Sequence, residues 1–197
     1  MPPEQRRATI IAATKPLLIE HGAAVTTKQI AEACGIAEGT IFRVFEDKRA
    51  LFLAVAEDTV SPAGGGVAFG LAVDEHETLT EKVLFLVDRL RHRAGEVMRV
   101  MSACRSAIQA ETKPGDPHLH TPPAFLINAN QQLNDLIEEH VFVPHRDELR
   151  IDPRTAAVVL RGLTFGAWMP GVPHDGQPLS PSDVVDVLLN GILKERH

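Results

Sequence analysis

The sequence predicts an all-α fold of about nine helices. Three observations carry that expectation. Apolar residues recur at spacings of three and four rather than two, the period of a helix and not of a strand. Val83, Leu86, Val87 and Leu90 make one such stripe, and Leu133, Leu136, Ile137 and Val141 make a second. Three stretches dense in Pro and Gly, at 61–67, 113–123 and 169–181, cut the chain into helical blocks. The composition, 44% hydrophobic and 23% charged, is that of a folded globular chain.

Taken in order, helices are expected over roughly 5–21, 27–34, 38–44, 48–60, 77–92, 94–112, 122–142, 153–168 and 182–195. Pro16 lies inside the first, where its missing N–H should kink the helix. Thr26 is placed to cap the second, and Gln29 three residues on completes a capping box. Gly35 suits the left-handed residue that ends that helix. A turn then leads into the third, and Asp47 caps the fourth. The Gly64-Gly65-Gly66 run has no strand before it and reads as a flexible hinge. The last helix opens on Ser180-Pro181-Ser182-Asp183, a strong start signal. Residues 1–50 are assigned to a three-helix head and 51–197 to a helical body.

No apolar run approaches the roughly 20 residues needed to cross a bilayer. The opening Met1-Pro2-Pro3-Glu4 lacks the pattern of a signal peptide, so a cytoplasmic location and no membrane partner are expected. Cys34 and Cys104 are expected as free, buried thiols acting as small hydrophobes, with a disulfide or redox pair as the alternative. The net charge of -6 is unevenly spread. Residues 1–50 hold seven Lys/Arg against six Asp/Glu, and the remainder holds 13 against 20. Such a head can bind nucleic acid if its basic residues share one face.

Residues 26–60 are where that condition can be met. Two short helices joined by a Gly-containing turn form a helix-turn-helix. Ile36, Ile41 and Phe45 would make the small core that holds them crossed. The second helix needs a small N-terminus to approach DNA closely, and Gly39 and Thr40 supply it. The Thr40 hydroxyl can donate to a phosphate. Arg43, one turn on, is long enough to reach a base edge, with guanine the commonest partner. Lys48, near a helix N-terminus, can join backbone amides in binding a phosphate. Thr26, Thr27 and Lys28, at the start of the first helix, and Phe42 complete the candidate DNA contacts.

The stretch from Thr26 to Leu51 resembles the TetR-type family of transcriptional regulators. The resemblance rests on one continuous register: Thr27-Lys28-Gln29-Ile30-Ala31, then Cys34-Gly35-Ile36, then Gly39-Thr40-Ile41-Phe42-Arg43, and finally Phe45 with Asp47-Lys48. It covers about a quarter of the chain, with a lead-in at Ile10-Ile11 and Leu18 to Gly22. It implies about nine helices, a variable ligand-binding C-terminal domain, and dimers made by the last two helices. Three positions depart from the pattern. Phe42 stands where the family usually has Tyr, and so loses a hydroxyl contact to phosphate. Val44 replaces a common His or Tyr. Ala37 replaces a Ser that would cap the helix. These departures predict weaker phosphate anchoring.

The body is expected to sense a small-molecule effector and to form a homodimer. Gly162, Gly166 and Ala167 on the eighth helix would allow close approach of a twin. Val184, Val187, Leu188 and Ile192 would supply the apolar face of the ninth. Leu86, Leu90, Met98, Met101, Phe125 and Trp168 are the candidate apolar pocket, with Arg89, His92, Arg105 and Asn128 as candidate polar groups. For each, ordinary core packing or a solvated helix face is the competing explanation. Met adapts to varied ligands and Trp adds a flat apolar wall, so an apolar or amphipathic ligand is expected. His118, His120, His140, His145 and Asp116 lack the spacing of a helical ligand pair, so no metal site is expected. No cofactor motif or catalytic signature is found. The competing function is a helical small-molecule-binding or protein-interaction module with weak or lost DNA binding.

Overall fold

The computed structural model describes residues 2–61, 66–111, 123–166 and 179–192. Among them lie nine α-helices and no strand. They are α1 (Pro3–His21), α2 (Thr27–Cys34), α3 (Glu38–Ile41), α4 (Lys48–Val60), α5 (Gly66–Asp74), α6 (Leu79–Glu111), α7 (Ala124–Ile137), α8 (Pro153–Gly166) and α9 (Pro181–Ile192). No described helix is long and apolar enough to cross a membrane.

The helix ends follow local chemistry. Thr26 caps α2 with both bonds of a capping box in place: its hydroxyl accepts from the Gln29 amide at 3.2 Å, and its own amide donates to Gln29 Oε1 at 2.8 Å. Gly35 ends α2 at φ 64°, the left-handed conformation that favours glycine. Asp47 caps α4 through the Ala50 amide at 2.6 Å. Thr78 with Glu81 and Ser180 with Asp183 form capping boxes at the starts of α6 and α9. α1 runs without interruption past Pro16.

Three elements differ from the sequence expectation. Helix α5 begins at Gly66, inside the stretch expected to be a hinge, and continues through Val67-Ala68-Phe69-Gly70-Leu71. Its run is apolar almost all round, so it has no polar face to reveal a helical period. The fifth and sixth expected helices are one, α6, of 33 residues. A lone Gly95 weakens a helix by only about 1 kcal/mol, too little to break one held by packing along most of its length. Helix α3 is a single turn, and bent backbone with bonds from Val44 and Phe45 to the Ile41 carbonyl follows it. Ala37 supplies no side-chain cap, and Gly39 with β-branched Thr40, Ile41 and Val44 are poor helix formers.

The chain packs as two compact units. The first comprises Met1–Ser61 and Glu96–Leu126, the second Pro62–Gly95 and Ile127–His197. The first core gathers Ile10 and Leu18 of α1, Ile30 of α2, Ile41 of α3, Phe52 of α4 and Val100 of α6. The boundary placed at residue 50 therefore falls within an element of this core. Cys104 is buried in it, Cys34 packs at its edge, and both are free thiols. Burial pushes Cys104 up to about 11.

The second core is built on Val83, Leu86 and Leu90 of α6, Ile137 of α7, Leu160 of α8 and Leu188 of α9. A polar clasp is set into it. Lys82, only 5% exposed, donates to the His140 carbonyl at 3.0 Å and faces the Asp74 carboxylate at 3.4 Å. The His140 ring lies 3.2 Å from the same carboxylate and packs directly on the backbone of Gly70. A Cβ at Gly70 would sit 2.5 Å from that ring, so a larger residue there would displace His140 from the clasp.

Candidate nucleic-acid interface

Helices α2 and α3 and the turn between them form the helix-turn-helix expected from the sequence. Ile41 is fully buried, Phe45 is 3% exposed, and Ile36 packs half-buried against the same core. This anchoring leaves the opposite side open. Thr26, Lys28, Gly39, Phe42 and Arg43 are exposed, and Thr27 and Thr40 are half-buried. The Thr27 hydroxyl bonds the Glu38 carboxylate, tying the first turn of α2 to the first turn of α3. That hydroxyl is thereby occupied.

Gly39 is informative because nothing among the described residues requires a glycine there. A Cβ built there meets no atom within 4 Å, and its φ is not in the left-handed region. A glycine with open space in front of it suits the close approach of an outside backbone. Phe42 is 49% exposed, so its ring is only partly packed and a large apolar surface stands beside Arg43.

Two side chains that sequence reading missed, Arg7 and Glu111, shape this face. The Arg7 guanidinium sits 4.6 Å from the centre of the Phe45 ring and clamps α1 against the turn after α3. The Lys48 ammonium is 2.8 Å from the Glu111 carboxylate, at the far end of α6, and 5.5 Å from the centre of the Phe52 ring. Lys48 is therefore engaged within the chain, and Asp47 already takes one amide of the α4 N-terminus. Both contacts join residues far apart in sequence, and no local pattern signals them.

Residues 10–55 match the family described as bacterial regulatory proteins, tetR family. That match takes in the helix-turn-helix and covers about a quarter of the chain. No curated protein matches it by sequence. Solved structures extend the likeness to the whole fold. A protein from Mesorhizobium loti assigned to the TetR family of transcriptional regulators is 18% identical, with a TM-score of 0.69 over 98% of this chain and 100% of its own. The transcriptional regulator FadR from Bacillus subtilis, in complex with stearoyl-CoA, is 17% identical, with a TM-score of 0.64 over 94% and 98%. NalD from Pseudomonas aeruginosa, the secondary repressor of the MexAB-OprM multidrug efflux pump, is 19% identical, with a TM-score of 0.60 over 98% and 100%. The chain shares its all-helical fold with these proteins over nearly its whole length.

The other candidate residues are distributed over the two units as follows. In the first unit, Met101 and Phe125 pack half-buried against the core, and Met98 is 50% exposed. In the second, Leu86 and Leu90 are core residues, and the exposed Arg89 lies 6.0 Å from the centre of the Phe85 ring. His92 pairs with Asp88 of its own helix, and Arg105 and Asn128 are exposed. Trp168, Ala167, Asp116, His118 and His120 lie outside the described residues, as does the side chain of Ile192. His140 joins the clasp with Asp74, and His145 pairs with Glu148 at 2.7 Å. Val184 and Leu188 are 3% and 1% exposed, so the chain's own core takes them up. Val187, in contrast, is 62% exposed. On α8, Gly162 is exposed beside Val158, Val159 and Leu163, and Gly166 is half-buried. Thr164 is fully buried, and its hydroxyl has no hydrogen-bond partner among the described residues.

Proposed function

We propose that this chain is a ligand-responsive transcriptional repressor that acts in the cytoplasm, binds a near-palindromic operator as a homodimer and releases it when a small apolar or amphipathic ligand binds. The observation that carries this reading is the open face of α2 and α3, where a Gly39 that no described residue requires stands next to an exposed Arg43. Gly39 and Thr40 meet the phosphate backbone, Arg43 reads a base edge, and Thr26 and Lys28 flank them.

The twin surface is assigned to the exposed apolar side of α8 and α9: Val158, Val159 and Leu163 around Gly162, with Val187. Val184 and Leu188 support that surface from within. Two heads about 34–36 Å apart would read successive half-sites on one face of DNA. The effector site is assigned to the body, which spans 51–197. The buried hydroxyl of Thr164, without a partner among the described residues, supports a polar group there, because such a group costs about 1–3 kcal/mol until something bonds to it. FadR, of the same fold, holds stearoyl-CoA, which supports an amphipathic effector. Release requires that the effector bind the DNA-incompetent state more tightly than the competent one.

The test is selection of bound duplexes from a random pool by the purified chain at low and moderate salt. A near-palindrome is expected, with its enrichment lost in Arg43→Ala. Absence of enrichment at either salt would favour a helical ligand-binding or interaction module, the reading that the half-exposed, hydroxyl-free Phe42 supports.

A further inference from the structure

We infer that Glu111 sets the DNA affinity of the head by competing with phosphate for Lys48. The inference rests on the DNA-binding reading. Lys48 is the basic residue at the start of α4, directly after the recognition turn. Its ammonium is not available as drawn from the sequence. It lies 2.8 Å from Glu111 Oε1, the length of a charge-assisted hydrogen bond. The Phe52 ring backs it at 5.5 Å. The side chains of Lys48 and Glu111 are 21% and 38% exposed, so salt screens the pair less than it would a fully exposed one.

The consequence follows from charge. A lysine adds to DNA affinity by neutralising a phosphate and releasing the cation condensed there. Lys48 paired with Glu111 presents no net charge and releases none. A phosphate that takes Lys48 must first displace the carboxylate, and the displaced Glu111 then repels the strand. Asp47, the residue just before Lys48, adds a second carboxylate that stays fixed on the Ala50 amide. The site therefore exchanges one anion for another, and Lys48 contributes little while Glu111 is charged. An uncharged residue at 111 frees Lys48 to act as a full phosphate contact.

The experiment uses the full chain, as wild type, Glu111→Gln, Glu111→Ala, Lys48→Met and Lys48→Met combined with Glu111→Gln. The probes are the duplex enriched by wild type from the random pool and one arbitrary duplex of equal length. Dissociation constants are measured over a salt series, with thermal unfolding as a check on folding. Glu111→Gln is expected to bind both duplexes about three- to tenfold tighter at low salt, with the slope of log K against log salt steeper by about 0.9. Glu111→Ala should do the same, and neither gain should survive Lys48→Met. A purely structural role for Glu111 would not steepen the salt slope. Unchanged affinity and slope in both Glu111 variants, or weaker binding, would overturn the inference while leaving the DNA-binding reading intact. Failure of every variant to bind either duplex at any salt would overturn both.

Discussion

The two helices of the helix-turn-helix are built on opposite principles. Helix α2 is self-sufficient: a complete capping box starts it, and a left-handed glycine ends it. Helix α3 has neither. Ala37 offers no side-chain cap, and the helix is a single turn. What holds α3 is the insertion of Ile41 and Phe45 into the core, with Arg7 stacked on the second. A helix held from behind by two buried side chains needs little from its outer residues. They are then free to be chosen for a partner, which accounts for poor helix formers such as Gly39 and Thr40 on that side.

The largest expected effect tests this contrast directly. Ile41→Ala leaves a cavity behind α3 and should destabilise the chain by about 2–5 kcal/mol. Thr26→Ala removes only a cap from α2 and should cost about 1 kcal/mol. Urea unfolding of the two variants measures the ratio. Equal effects would mean that α3 is not held mainly by its buried face.

How far the sequence carries follows the same division. The ends of α2, the Asp47 cap and the start of α9 were legible because their signals span three or four residues. The helix-turn-helix was legible as a set of residue types in register. Partnerships were not. Lys48 meets Glu111 across 63 positions, and Arg7 meets Phe45 from another helix. The apolar stripe of α9 shows that a face is buried without showing against what. Val184 and Leu188 turn inward, while Val187 stays exposed. Helix α5 was missed because its residues are apolar on nearly every side.

A smaller effect separates stability from function at α3. Gly39→Ala meets no atom within 4 Å, and the added methyl restricts the unfolded chain. The variant should be unchanged or more stable by up to about 0.5–1 kcal/mol. DNA binding should nevertheless weaken at both low and moderate salt, because the methyl group stands where a strand would approach. Thermal unfolding and duplex binding on the same preparation check the pair of outcomes. Retained affinity would remove Gly39 from the interface.

The smallest effect extends the comparison from α2 to the caps of the body. The box of α2 closes with Gln29, which does not titrate. Those at the starts of α6 and α8 rely on carboxylates. Hydrogen bonds from the Thr78 amide and hydroxyl hold Glu81 below its ordinary range. Bonds from the Thr155 hydroxyl and amide do the same for Asp152. A carboxylate depressed in the folded state contributes stability above its unfolded pKa and loses it as pH falls through the folded value. Acidification below about pH 4 should therefore loosen the starts of α6 and α8 while leaving that of α2 bonded. Hydrogen exchange at the amides of Glu81, Thr155 and Gln29 gives the readout. Protection should fall at the first two, where the acceptor becomes protonated or its box opens, and persist at Gln29, whose acceptor is the Thr26 hydroxyl. Equal loss at all three would show that acid opens the chain as a whole rather than cap by cap.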